Sequence, residues 1–216
     1  MKPLLAPLIG ESSPVTVIGL CKNAGKTTVL CRLIAELEGE TLAMTSVGRD
    51  GERTDVVTGT EKPQIWVPAG TLFATARGLL PLCDATVEVA QVTDVMTPLG
   101  AVAVFRALSD GYIQLAGPSV VSQLSPLSRT FRALGADRVL IDGAAGRKSL
   151  AGAERGGCAL LCVGGSMDGG AATIAAEAAD ASLDWPRPAY SWYVVGVLLL
   201  ARRVQDLQRV VGDDRA

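Results

Sequence analysis

Histidine is absent from all 216 residues, and its absence excludes more chemistry than most motifs establish. Ser-His and Cys-His nucleophile pairs, His-ligated metals and imidazole general bases are all ruled out. Any reaction must draw on Asp, Glu, Lys, Arg, hydroxyls, backbone groups and a bound ion. Phosphoryl transfer suits that inventory, because it depends mostly on positioning and charge neutralisation. Long basic blocks are missing too, and with a net charge of −2 there is no electrostatic reason to expect nucleic acid. Long apolar runs are equally scarce. The longest uncharged one, residues 193–201, falls well short of a bilayer span. The first ten residues carry one charge and are broken by Pro3 and Pro7, too short and interrupted for a signal peptide. The expectation is a soluble, cytoplasmic protein with no membrane partner.

The five cysteines are odd in number and lack the paired short spacings of a zinc site or redox motif, which predicts reduced thiols. Cys158 and Cys162 lie on one apolar run and read as core side chains of a strand. Hydrophobic residues make up 49% and charged residues 19% of the chain, enough apolar surface for one compact domain. Residues 1–184 are read as that domain. Residues 185–216 are read as a linker and an amphipathic helix packed on it.

What is present is a glycine-rich turn, Gly19-Leu-Cys-Lys22-Asn23-Ala24-Gly25-Lys26-Thr27-Thr28. A predicted strand, residues 15–20, precedes it, and Val29, Leu30, Leu33, Ile34 and Leu37 recur after it at helical spacing. Strand, loop and helix thus follow the order of a phosphate-binding loop, or Walker A motif. Backbone N–H groups of such a loop face phosphates at the positive end of a helix dipole. Lys26 supplies a full charge, and the Thr27 hydroxyl can reach Mg²⁺. Five residues separate Gly19 from Gly25, one more than the usual pattern has. The longer loop resembles that of dethiobiotin synthetases and cobyric-acid-type amidases, P-loop proteins with parallel sheets.

Downstream, a strand is predicted at 41–46 and a polar loop follows it, carrying Asp50, Glu52 and Asp55. These are candidates for a second carboxylate on Mg²⁺ or substrate, Asp50 foremost; an ordinary solvated turn is the other reading. Residues 64–67 suit only a short or edge strand between two prolines. The pattern predicts a helix from Thr71 to Leu80 ended by Pro81, then strands at 85–92 and 101–108 around a turn at 97–100. A short helix is expected from Ser125-Pro126 to Gly135.

Arg138-Val-Leu-Ile-Asp142-Gly143 is a continuous apolar run ending in an acid. It suits a strand buried on both faces, with Asp142 as a Walker B aspartate holding Mg²⁺ through water. Arg147, Lys148 and Ser149 follow, either for the γ-phosphate or as ordinary loop groups. A helix is expected at 171–179, a break at 185–188 and a helix at 197–211. Alternating strands and helices predict an α/β fold, a mostly parallel sheet flanked by helices, with ligands beyond the strands' carboxyl ends. The catalytic candidates are Lys26, Asp50 and Asp142, and the metal candidates Thr27, Asp50 and Asp142. No Asn-Lys-x-Asp guanine reader occurs, which favours ATP while leaving GTP open.

The phosphate loop, Thr45-Ser-Val-Gly-Arg-Asp50-Gly-Glu52, the segments 55–63, 70–76 and 106–119, and Val139-Leu-Ile-Asp142-Gly-Ala-Ala-Gly-Arg147-Lys148-Ser149 together resemble one family. It comprises P-loop reactivase subunits of adenosylcobalamin-dependent lysine 5,6-aminomutase and ornithine aminomutase. The resemblance covers about residues 15–151. It implies an accessory, Mg-dependent NTPase that helps a radical mutase shed inactivated cobalamin, with the aminomutase and a second ATPase as partners. Two other readings stay open: an ATP-dependent ligase or kinase acting on a small carboxylate or amine, and a non-hydrolysing nucleotide-binding scaffold.

Overall fold

The apolar run before the phosphate loop becomes strand β1 (Val15–Gly19), with every residue buried. The computed structural model describes residues 4–21, 24–47, 64–143, 156–164 and 191–197, with backbone alone for 164 and 191–197. The further strands are β2 (Leu42–Ser46), β3 (Ile65–Val67), β4 (Leu72–Ala76), β5 (Val87–Thr97), β6 (Gly100–Ala107), β7 (Gly111–Ile113), β8 (Arg138–Asp142), β9 (Cys158–Gly164) and β10 (Ser191–Val197). Eight form one sheet in the order β10-β9-β1-β8-β2-β4-β6-β5, and β3 pairs with β7 in a small second sheet. From β10 to β4 every pairing is parallel. β6 runs antiparallel to both β4 and β5. The architecture is α/β with a mostly parallel, mixed sheet.

Helix α1 is the short Ala6–Ile9, α2 is Lys26–Glu36 and α3 is Leu124–Ala133. Among the described residues, α2 and α3 pack on opposite faces of the sheet, because its central strands are apolar on both. The α2 face gathers Val29, Leu30, Leu33 and Ile34 against Val15, Val17, Met44, Leu140 and Leu160. The α3 face gathers Leu124, Leu127 and Phe131 against Ile18, Ala43, Val139, Ile141 and Leu161. Alternate residues of each central strand therefore serve opposite layers, as the two-residue period of a strand demands. Gly135, just past α3, takes a φ of 94°, a backbone state that glycine enters without steric cost.

One expectation is overturned. The predicted helix from Thr71 to Leu80 is instead the fully buried strand β4 followed by a 3₁₀ segment, Arg77–Leu82, with Pro81 inside it. The slot between β2 and β6 explains the change. β4 completes ladders on both sides and stacks Phe73 on Phe105 at 5.6 Å, gains that outweigh local helical spacing. The strands expected at 85–92 and 101–108 correspond to β5 and β6, joined by the predicted turn. Of the apolar run 193–201, its first residues lie in β10, at the outer edge of the sheet. The expected helix at 171–179 and the break at 185–188 lie outside the described residues. So does the expected helix at 197–211, apart from Val197, which ends β10.

A strap at the amino end is pinned to the sheet's far side. Leu4, Leu5 and Ala6 donate backbone N–H groups to Glu36 Oε2 at 2.8, 2.7 and 2.9 Å. Arg138 donates to Gly10 and Ser12 carbonyls at 2.8 and 2.9 Å and grips Glu40 with two bonds of 2.9 Å. These contacts tie α2 and β8 at the end opposite the glycine-rich turn and Asp142.

Candidate functional site

β1 delivers the loop to the carboxyl end of the sheet, between β8 and β9. Gly25 caps α2 with a φ of 91°, and Val29 N–H donates to its carbonyl at 3.0 Å, so the helix starts at Lys26. The lysine then folds back on the strand it came from. A Cβ built on Gly19 would lie 3.0 Å from Lys26 Nζ, 3.1 Å from its Cγ and 3.2 Å from the Ala24 Cβ. Gly19 is thus the floor on which the Lys26 side chain rests, and only a residue without a side chain leaves that floor open. Lys26 and Thr27 are half-buried, and Thr28 is exposed.

Asp142 arrives from the neighbouring strand. It is the Cα partner of Val17 on β1 and of Ser46 on β2. Its carbonyl accepts from Val47 N–H at 2.9 Å, and Gly143 N–H donates to Val17 at 2.8 Å. In-register parallel neighbours project to the same side, so Asp142 and Ser46 share the α2 face. Cys162 registers the charges gathered there. Burial is the main cause that pushes its thiol up to about 12; Lys26 pulls it down, and Asp142 pushes it further up. A single buried sulfur therefore feels both the loop's cation and the strand's carboxylate. None of the five cysteines forms a disulfide.

Comparisons with protein-family models, curated proteins and solved structures find no match. The residues themselves must carry the assignment.

Of the sequence-predicted site, the structure brings Gly19, Ala24, Gly25, Lys26, Thr27 and Asp142 to one end of one sheet. Lys22, Asn23, Asp50, Glu52, Asp55, Arg147, Lys148 and Ser149 lie outside the described residues. Among the described residues no three acidic or thiol groups cluster as a metal cage. The Thr27 hydroxyl and the Asp142 carboxylate could hold a cation, and the Gly19–Lys26 cradle could receive a phosphate.

Two residues at this end escaped sequence reasoning. Ser46 accepts the Gly117 N–H at 3.1 Å, and Gly117 is seated so tightly that a Cβ would fall 2.2 Å from the Ser46 carbonyl oxygen. No spacing rule links positions 46 and 117. Both lie inside stretches quoted above for the family resemblance, which was the only signal that could have drawn attention to them.

Proposed function

We propose that this chain is a P-loop protein of the dethiobiotin-synthetase-like branch that binds Mg-nucleoside triphosphate and serves as an accessory NTPase to a cobalamin-dependent aminomutase. The observation that carries the nucleotide half is the Lys26 side chain, at the start of α2, laid over Gly19 on the strand next to the one that ends in Asp142. An ammonium held at a helix N-terminus one strand away from a carboxylate suits a phosphate–metal pair. Lys26 would neutralise phosphate oxygens, the first-turn N–H groups of α2 would orient them, and Thr27 and Asp142 would hold the ion. When bound, Mg²⁺ supplies charge neutralisation across the phosphates. The aminomutase partner rests on the resemblance of residues 15–151, and the lack of an Asn-Lys-x-Asp reader favours ATP.

Calorimetry of ATP and GTP with Mg²⁺ tests the binding half. Losing a charge-assisted phosphate contact costs about 1.5–3 kcal/mol, so Lys26→Ala is expected to weaken binding by at least about tenfold. Equal affinity in wild type and variant would remove the phosphate role. For the accessory half, wild type with Mg-ATP and a partner ATPase should restore a cobalamin-inactivated aminomutase, and Lys26→Ala should not. Turnover of ATP only with a small carboxylate or amine present, and no restoration, would replace the accessory reading by a ligase or kinase.

A further inference from the structure

We propose that Ser46 is a positioning residue of the nucleotide site, oriented by Gly117 so that its hydroxyl proton serves the space beside Asp142. The inference rests on the nucleotide reading above and adds a residue to it. Ser46 ends β2, is 7% exposed and stands in register with Asp142. A serine hydroxyl has one proton to give and two lone pairs to offer. The Gly117 N–H occupies a lone pair at 3.1 Å and, being a donor, leaves the proton directed elsewhere. The next amide, Val47 N–H, is spent on the Asp142 carbonyl at 2.9 Å. In register with Asp142 and on the same face, the Ser46 hydroxyl can turn that proton to the carboxylate or to a water between it and the ion.

The seat that orients Ser46 is built into the core. A Cβ at Gly117 would lie 2.2 Å from both the Ser46 carbonyl oxygen and Thr45 Oγ1, so glycine is what lets this N–H approach. The segment bearing it is held against β4. Ala76 N–H donates to the Ala116 carbonyl at 2.8 Å. Thr75 Oγ1 accepts from Ala116 N–H and donates to the Gln114 carbonyl, each at 2.9 Å. Thr45 Oγ1 in turn donates to Ala74 at 3.2 Å. Buried hydroxyls bonded in this way hold geometry that an apolar filler would not.

The test is titration of ATP binding across Mg²⁺ concentrations, alongside thermal melting, for wild type, Ser46→Ala, Ser46→Cys and Ser46→Thr. Ser46→Ala should bind Mg-free ATP within about twofold of wild type yet lose about fivefold or more of the Mg²⁺-dependent gain in affinity. Ser46→Cys, near-isosteric with a weak S–H donor, should show the same loss if Ser46→Ala does not fold. Ser46→Thr keeps the hydroxyl and should restore the gain. A purely structural serine would lower the melting temperature while leaving the Mg²⁺ response at the wild-type value, and that result overturns the inference. Wild type that binds ATP with no Mg²⁺ response overturns it also and leaves the phosphate seat intact. Wild type that binds no nucleotide overturns the functional reading and this inference together.

Discussion

Gly19 and Lys26 show how one missing side chain can decide where a lysine lies. The lysine's Nζ and Cγ lie 3.0 and 3.1 Å from where a Gly19 Cβ would be, closer than ordinary van der Waals contact. In Gly19→Ala the flexible end of Lys26 must move, and Ala24, 3.2 Å away, must give slightly. Since the conflict falls mostly on a mobile ammonium, the cost should appear in binding more than in folding. Gly19→Ala is therefore expected to weaken Mg-nucleotide binding about tenfold while lowering Tm by no more than about 4 °C. Calorimetry and a thermal melt on the same variant check both halves. An unchanged affinity would mean that the lysine's resting place over Gly19 does not matter to the ligand.

At the scale of elements, α2 has a task at each end. Its first turn carries Lys26 and Thr27, the proposed phosphate contacts, and its last residue, Glu36, caps the strap that holds α1. The Glu36 side chain is only 3% exposed. Burial alone would raise its carboxyl, but N–H donors from Ala6, Leu4 and Leu5 and the ion pair with Arg32 outweigh it and set it below the usual 4.5. Removing the charge in Glu36→Gln should cost about 1.5–3 kcal/mol at neutral pH. The sign of the pH effect follows from the lowered value. A depressed carboxyl stabilises the fold fully above its unfolded pKa, and that contribution is lost as pH falls through the folded one. The gap in Tm between wild type and Glu36→Gln is thus expected to be constant near neutrality and to shrink as pH falls below the ordinary carboxylate range. Melts from pH 3 to 8 measure it; a gap that stayed at its neutral value down to pH 3 would assign the stabilisation to something other than the ionised carboxylate.

Across the whole molecule, stability is graded along the sheet. β1 and β8 sit between other strands and are covered on both faces by the α2 and α3 layers. β5 lies at one edge, eleven residues long, with shifts of register at Val89/Gln91 and Val92/Met96. Val92 and Met96 on it are 72% and 71% exposed, so little apolar burial holds it beyond its ladder with β6. Irregular register and the charges of Glu88 and Asp94 also blunt such an edge against further strand pairing. Hydrogen exchange should show β1 and β8 amides opening only with global unfolding and β5 amides exchanging well before them. Equal protection in β5 and β1 would mean that this edge is covered in solution.

Local chemistry made part of this protein legible from its sequence. The order of β1, loop and α2 could be read because glycine, lysine and apolar spacing act within a few residues of one another. The strand ending at Asp142 was visible as a continuous apolar run, since a doubly covered strand has no polar face. The excluded chemistry followed from composition alone. Tertiary structure decided what depends on partners distant in sequence. It made residues 72–76 a strand, because β2 and β6 offered ladders on both sides, and it turned β6 against the parallel order. It laid Lys26 over Gly19, set Ser46 in register with Asp142 across 96 residues, and seated Gly117 on Ser46 across 71. Strand pairing and burial reward contacts that local spacing does not encode, so those choices exist only once the sheet is assembled.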